Sequence, residues 1–309
     1  MTILIIGCKG QVGTELCIQM EKLKTGFISV DLPEIDITDP FSVEKYMGLP
    51  QVQLVINAAA YTAVDKAESD PENAFAVNAK GPGLIAQFCK NKNIPFIHIS
   101  TDYVFDGTKN SPYLENDTVS PAGVYGKSKA EGDALIQRIL EKHVIIRTSW
   151  LCSAHGANFV KTMLRMGREK ETIKVVNDQK GCPTFASDLA EAIITITDRY
   201  FENKDLPWGI YHYCGKGETT WFAFAEQIFT LAGRNHTFKL KSLLPIPTSE
   251  YPTPTRRPMN SVLNCTKIME NFGIQPKPWK ESLEKTLTDL YLQNRQSTHP
   301  ANHPPQLFR

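Results

Sequence analysis

The segment VYGKSKAEGDALI, residues 124–136, sets a phenol, Tyr125, four residues before an ammonium, Lys129. The stretch reads as a helix, and residues four apart share one helical face. An isolated pair of this kind is most often two ordinary surface side chains. Beside a bound carbonyl it becomes an acid. Carbonyl reduction needs a proton for the developing alkoxide. Tyrosine can donate it, but its ordinary pKa of about 10 is high for exchange at neutral pH. A nearby ammonium stabilises the phenolate and lowers that pKa. The same ammonium can hold the ribose of a nicotinamide cofactor. A hydroxyl that orients the substrate oxygen completes the set; Thr101 ends the apolar run PFIHIST, with Ser100 as its competitor.

A second group of residues points to the cofactor. IIGCKGQVGTEL carries Gly7, Gly10 and Gly13 in a G-x-x-G-x-x-G spacing, after an apolar run and before a helical pattern. Glycine there permits a tight turn and close approach of backbone to a pyrophosphate, and the helix N-terminus adds N–H groups and a favourable dipole. Asp31 ends the next apolar run, 18 residues beyond Gly13. An acid at that place can accept from an adenosine ribose 2′-hydroxyl and would repel a 2′-phosphate; the alternative is a plain turn aspartate. DIT, residues 36–38, is a weaker candidate for the adenine side.

These side chains need a scaffold, and the chain alternates short apolar runs with helical patterns. Strands are predicted at 3–7, 27–31, 54–60, 95–101 and 143–149, with helices near 11–23, 40–47, 71–92 and from Val124. Continuous apolar strands suit a sheet covered on both faces, and strand–helix alternation predicts a parallel, doubly wound α/β Rossmann sheet. Thr101 then lies at the carboxyl edge where such sheets bind ligands. Residues 1–150 read as the NAD(P)-binding domain, completed by segments within 173–215. Residues 151–309 read mainly as a smaller α/β substrate domain. In it, helices are predicted at 158–170, 186–201, 221–233 and 278–295, and strands at 173–178 and 209–215. The Pro-, Ser- and Thr-rich segment 243–261 is too long for a plain connection and is read as a binding loop. The tail 296–309 is read as mobile.

Composition narrows the classes. A net charge of +1 without a Lys/Arg run argues against nucleic acid or an anionic membrane surface as the main partner. The seven cysteines are irregularly spaced and form no C-x-x-C pair, which predicts free thiols in a reducing compartment. The opening MTILIIGCKG reads as a first strand, not a signal peptide, and no apolar stretch is long enough to span a membrane. A cytoplasmic enzyme is expected.

The chain resembles the extended short-chain dehydrogenase/reductases through the glycine turn, NAAA at 57–60 and Y-x-x-x-K. More narrowly it resembles the dTDP-4-dehydrorhamnose reductase family, through GQVGTEL, VINAAAYTAVDKAESDPENAFAVNA, HISTDYVFDGT, SPAGVYGKSKAEGDAL, IRTSWLC, NFVKTMLRM, VVNDQKGCPT and PIPTSEYPTPTRRPMNSVLN, in order from residue 10 to about 264. The resemblance implies NADPH- or NADH-dependent reduction of the C4 keto group of dTDP-4-dehydro-L-rhamnose, in deoxysugar and cell-surface polysaccharide synthesis. It implies Tyr125 as proton donor, Lys129 as its electrostatic partner and ribose ligand, and Thr101 as the orienting hydroxyl. Gly10, Gln11 and Val12 would meet the pyrophosphate, Asp31, Asp36 and Ile37 the adenosine, and Ala60, Tyr61 and Thr62 the nicotinamide side. Asn78 would belong to a proton relay. Asp102 and Trp150 would contact the dTDP-sugar, and Arg257 its diphosphate, which suits a guanidinium.

Some members of the family hold Mg²⁺ between subunits through glutamates. Glu15 could serve, but Ser187 stands where a further acid would align, so no metal residue is assigned. A homodimer is the candidate assembly. Three other readings compete. A dehydratase of the same superfamily follows its active-site Thr with Asp-Glu, whereas this chain has Thr101-Asp102-Tyr103. A reductase of a related dTDP-4-keto sugar, such as a streptose-type sugar, would look alike. A non-catalytic regulatory subunit can share the fold, but the intact Thr101, Tyr125 and Lys129 set argues for chemistry.

Overall fold

A computed structural model describes residues 2–298. Alternation begins at once. Strand β1 (Ile3–Ile6) is followed by helix α1 (Gln11–Lys22), β2 (Phe27–Val30), α2 (Pro40–Met47) and β3 (Leu54–Asn57). Next come α3 (Val64–Ala67), α4 (Pro71–Phe75), a π-helical turn (Ala76–Lys80), α5 (Gly81–Lys92), β4 (Phe96–Thr101), α6 (Val124–Ile139) and β5 (His143–Thr148). The remainder runs β6 (Leu151–Cys152), α7 (Phe159–Glu169), β7 (Thr172–Val176), β8 (Lys180–Gly181), β9 (Thr184–Phe185), α8 (Ala186–Asn203), β10 (Gly209–His212), β11 (Thr219–Thr220), α9 (Trp221–Ala232), β12 (Ser242–Ile246), α10 (Thr266–Phe272) and α11 (Trp279–Thr298).

Six strands form one parallel sheet in the order β10-β5-β4-β3-β1-β2. Alternate side chains of a strand face opposite ways, and here both faces are buried. Ile3 and Ile5 of β1 pack with Leu16 and Met20 of α1 and with Leu189 and Ile193 of α8. Leu4 and Ile6 pack with Val43 of α2, Ile85 of α5 and Ile136 of α6. The doubly wound sheet expected from the apolar runs is therefore present. Its strand order reverses direction between β1 and β3, and the crevice above that switch point is where ligands bind in open parallel sheets.

Beyond β5 the chain both returns to the large sheet, through α8 and β10, and builds a separate core. There Val160 and Leu164 of α7, Ile173 and Val175 of β7, Phe224 and Ile228 of α9, and Trp279 and Leu283 of α11 pack together. Three two-stranded pairings serve this part: β7 with β12, β8 with β11, and β6 with β9.

Three expectations change in detail. The helix predicted over 71–92 is interrupted by the π turn. Pro82 has no N–H to give the carbonyl four residues back. The chain widens instead, and Gly81 N–H bonds to Ala76 O. The predicted loop 243–261 begins as a strand, because Ser242–Ile246 pairs in parallel with Thr172–Val176. The last helix continues to Thr298, three residues into the expected mobile tail; residues 299–309, the rest of that tail, lie outside the described residues.

The π turn sits against α6 with no room to spare. A Cβ on Gly132 would lie 2.1 Å from Asn78 O. Gly132→Ala is therefore expected to destabilise the protein by about 1–3 kcal/mol, the usual range for overpacking. Urea unfolding measures it, and an unchanged midpoint would contradict this packing.

Candidate active site

The glycine turn is built by close approach. Gly7 has φ +85° and a Cβ there would lie 2.4 Å from Ala59 N. Gly10 N–H donates to Gly7 O at 3.1 Å, and a Cβ on Gly13 would come within 2.1 Å of the same carbonyl. The turn thus lies directly on the rim 58–60 that follows β3. Gly10 caps α1 without a side chain, which leaves the first N–H groups of the helix open to an anion.

Asp31 fixes the turn from the other side. Its Oδ2 accepts from Lys9 N–H and its Oδ1 from Leu32 N–H, both at 2.8 Å. The turn-aspartate role is real, and each carboxylate oxygen keeps a further lone pair. Lys9, not singled out by sequence reasoning, lies at the same rim, with Nζ on Leu32 O and Glu34.

A cleft of about 830 Å³ runs above the switch point. Gly7, Gly10, Gln11, Val12, Asp31, Asp36, Ile37, Ala60 and Thr62 line it, together with Thr101, Asp102, Tyr125, Lys129 and Trp150. Residues spread from position 7 to position 150 of the sequence are brought into one cavity. Gly13, Tyr61, Asn78 and Arg257 are not among its lining. Tyr61 turns its hydroxyl to Asp70 at 3.1 Å. Asn78 spends both amide hydrogens on Tyr61 O and Ser128 Oγ and accepts from Tyr61 N–H. It brackets the 58–62 rim to α6.

Burial dominates the chemistry of the central groups. It pushes the Tyr125 phenol well above its ordinary value, with the Thr101 hydroxyl pulling the other way. It pushes Lys129 down to about 8, opposed by Asp133. The expectation that Lys129 lowers the Tyr125 pKa is not met in this resting geometry. Lys129 Nζ donates to Ile99 O at 2.7 Å and lies 3.2 Å from His98 Nε2, so it faces the floor of the site. Thr101, in turn, accepts from Tyr103 N–H and donates to Asp102 Oδ1 at 3.1 Å. Burial raises Asp102 to about 6, partly offset by the nearby Ser261 and Thr101 hydroxyls. Among the described residues the buried Ser100 Oγ, Thr148 Oγ1 and Asp102 Oδ2 have no hydrogen-bond partner, and all belong to residues of the cleft wall. A polar ligand would satisfy them. With the glycine cradle, they make the cleft fit a dinucleotide and a polar substrate.

A second cavity of about 350 Å³ shares Tyr103, Trp150, Phe159 and Trp221 with the first. Trp150 takes a left-handed backbone, φ 48°, and stacks on Trp221 with centroids 3.5 Å apart. Gly181 makes room, since a Cβ there would meet the Trp150 ring at 2.3 Å. Arg257 lines this cavity, its guanidinium held by Asp65 Oδ2 at 2.5 Å and by Tyr103 OH at 2.9 Å. Sequence reasoning missed Trp221, Tyr103, Asp65 and His98. Asp65 and Tyr103 lay inside quoted motifs without a role; only contact across the fold gives them one. Among the described residues no group of three or more His, Cys, Asp or Glu side chains is placed to hold a metal ion. Glu15 instead meets His155 Nε2 at 3.5 Å.

Comparison with known proteins follows the same lines. The sequence model of a family described as RmlD substrate binding domain matches residues 1–292. A dTDP-4-dehydrorhamnose reductase of Aggregatibacter actinomycetemcomitans is 39% identical over 284 residues, covering 91% of this chain and 97% of that protein. The crystal structure of a dTDP-4-dehydrorhamnose reductase from Clostridium acetobutylicum superposes with TM-score 0.88 at 37% identity, covering 94% of this chain and 100% of that one. The dTDP-4-dehydrorhamnose reductase of Bacillus anthracis, solved in complex with NADP, superposes with TM-score 0.85 at 33% identity, covering 93% of this chain and 99% of that one.

Asp102 is a destabilising group retained in a cleft. Its carboxylate is disfavoured by burial, so the folded protein loses stability as pH rises from the unfolded pKa of about 3.8 through about 6. Asp102→Asn should raise stability at pH 7.5 by roughly 1–3 kcal/mol and confer little at pH 4. Urea unfolding at both pH values checks this; equal gains at both would mean burial of the charge is not the cause.

Proposed function

The chain belongs to the RmlD substrate-binding-domain family, and from that premise we propose that it is a dTDP-4-dehydrorhamnose reductase. It reduces the C4 keto group of dTDP-4-dehydro-L-rhamnose to give dTDP-L-rhamnose, in deoxysugar and cell-surface polysaccharide synthesis, with NADPH or NADH. The observation that carries this reading is that Tyr125, Lys129 and Thr101 line the same cleft as the glycine turn. A phenol, an amine and a hydroxyl beside a dinucleotide cradle are the parts of a carbonyl reductase.

The proposed division of labour follows the two cores. Residues 1–150, with α8 and β10, hold the cofactor: Gly7, Gly10, Gln11 and Val12 at the pyrophosphate, with Gly13 shaping the turn beneath them, Asp31, Asp36 and Ile37 along the adenosine, and Ala60 and Thr62 toward the nicotinamide. When bound, the reduced nicotinamide supplies the hydride. The later region, with its aromatic-lined second cavity, takes the dTDP moiety.

As negative charge develops on O4, Tyr125 donates its hydroxyl proton to it. Burial keeps that phenol protonated at neutral pH, the form a donor needs. Thr101 orients O4 only by giving up its bond to Asp102, because its one hydroxyl hydrogen is committed there. Lys129 stabilises the phenolate left on Tyr125, which requires it to turn from His98. The stack of Trp150 on Trp221 walls the sugar side, and Arg257 meets the diphosphate. The Arg257–Asp65 pair holds the guanidinium in place before substrate arrives, so less ordering remains for binding.

The seven thiols are free, and among the described residues no helix is long and apolar enough to cross a membrane. Both fit the cytoplasmic setting we infer, where the sugar nucleotide is the partner.

Incubation with dTDP-4-dehydro-L-rhamnose and NADPH or NADH, with product analysis, tests the activity directly. Tyr125→Phe should lower kcat by about 10²–10⁴-fold, the usual worth of general acid catalysis, with cofactor affinity little changed; near-normal turnover would remove Tyr125 from the role. Arg257→Ala should raise KM for the sugar nucleotide while NADPH affinity stays nearly intact. Matched titrations of the two ligands decide it, and a loss confined to NADPH would refute the division of labour.

A further inference from the structure

Beneath the Tyr125–Lys129 face, three buried polar side chains run in line from the β3 rim to the lysine. Asn57 ends β3, His98 lies within β4, and Lys129 projects from α6; none is more than 1% exposed. Asn57 Oδ1 accepts from Ala59 N–H at 3.0 Å. A backbone N–H can only donate, so this contact fixes which end of the amide is oxygen. The nitrogen, Nδ2, then faces His98 Nδ1 at 3.2 Å. Nδ2 can only donate, so Nδ1 must accept, and the neutral ring carries its hydrogen on Nε2. Nε2 lies 3.2 Å from Lys129 Nζ.

An ammonium has three hydrogens and no lone pair. Set against an Nε2–H it places two donors face to face. A neutral amine set there accepts the hydrogen bond and still donates to Ile99 O, at 2.7 Å. We propose that Asn57 and His98 are positioning residues for Lys129. Together they hold the ring in its Nε2–H form and so favour the neutral amine, docked on His98, over the ammonium in the resting site. Taking a proton from solvent breaks that contact and frees Nζ to turn toward Tyr125. His98 is not a shuttle, because its only acceptor nitrogen is occupied by Asn57.

The surroundings agree. The titratable and charged groups around Lys129 are Tyr125 and Asp133 on its own helix, His98 on β4, Asp102 just after it, and Arg147 on β5. Arg147 is bound to Asp133 at 3.0 Å. The adjoining π turn and β3 contribute Asn78 and Asn57, neither titratable. Asp133, whose charge is shared with Arg147, favours the ammonium, as does Asp102 once ionised above about pH 6. Burial already brings Lys129 down to about 8, and the Nε2–H contact acts in the same direction.

The inference rests on Lys129 having the role proposed above, and its test separates the two. Long-range ¹H–¹⁵N correlation spectra of the full chain, labelled in histidine and without ligands at pH 7.5, read the tautomer of His98. Its signals are those missing from His98→Gln. The expected result is a proton on Nε2; a proton on Nδ1 overturns the proposal. Asn57→Asp keeps the shape and the acceptor for Ala59 N–H but offers His98 an acceptor. The ring should then carry its hydrogen on Nδ1, and Nε2 should accept from the ammonium. The alkaline limb of kcat/KM should move up by about one pH unit or more. A flipped ring with an unmoved limb overturns the link to Lys129. The spectra need no substrate. The expected tautomers in a chain that leaves the sugar nucleotide unreduced would support the positioning of Lys129 by Asn57 and His98 while refuting the proposed function.

Discussion

The site depends on how closely α6 lies against its neighbours. Two of its glycines permit this. A Cβ on Gly126 would lie 2.2 Å from Tyr103 O, and one on Gly132 would lie 2.1 Å from Asn78 O. Backbone therefore touches backbone on two sides of one helix. The consequence is burial: Tyr125 is 9% exposed and Lys129 only 1%. The shifted pKa values follow from that burial, since removing a group from water disfavours its charged form. The π turn belongs to the same constraint. Pro82 forces the helix before it to widen, and the widened turn presents Asn78 to the rim and to α6 at once.

Within this low-dielectric wall, polar groups are matched unevenly. Arg147 and Asp133 form a buried pair under the Phe105 ring, and leaving either alone would be costly. Among the described residues Asp102 has no such partner, and its Oδ2 is unpaired. Ser100 and Thr148 show the same pattern on neighbouring strands. Asp133 Oδ1, His143 Nε2 and His212 Nε2 are also unpaired among the described residues, away from the cleft; the three at the cleft wall are a liability to the empty fold and a ready contact for a ligand, the usual exchange of stability for function. Across the cleft, Asp65 and Tyr103 hold Arg257. Glu68, which caps the C-terminal end of α3, accepts from Val124 N–H at the start of α6 and from Thr255 Oγ1. The proposed substrate loop and the start of the candidate catalytic helix are thus tied through one short helix.

Much of this was legible in the sequence, for physical reasons. The apolar runs ILII, LVIN and HVII are buried on both faces, so the pattern alone announced a covered parallel sheet. The glycine spacing was legible because only glycine fits where Gly7 meets Ala59 and where Gly13 meets Gly7 O. Tyr125 and Lys129 were legible because a four-residue spacing places both on one side of a helix.

What the sequence could not determine is which way each side chain turns once the fold closes. Periodicity puts Lys129 beside Tyr125, but desolvation and the His98 and Ile99 contacts turn it to the floor of the site. Nothing local ties Trp150 to Trp221, Arg257 to Asp65, or Asn57 to His98; those pairs are 71, 192 and 41 residues apart. The β7–β12 pairing hid inside a Pro-rich segment for the same reason, since a strand edge is defined by its partner. Sequence by itself set the sheet, the turn and the candidate catalytic side chains, because these follow from burial pattern, glycine sterics and helical spacing. Tertiary structure alone set the hydrogen-bond polarity and charge environment of the cleft, because those depend on groups that meet only after long loops have closed.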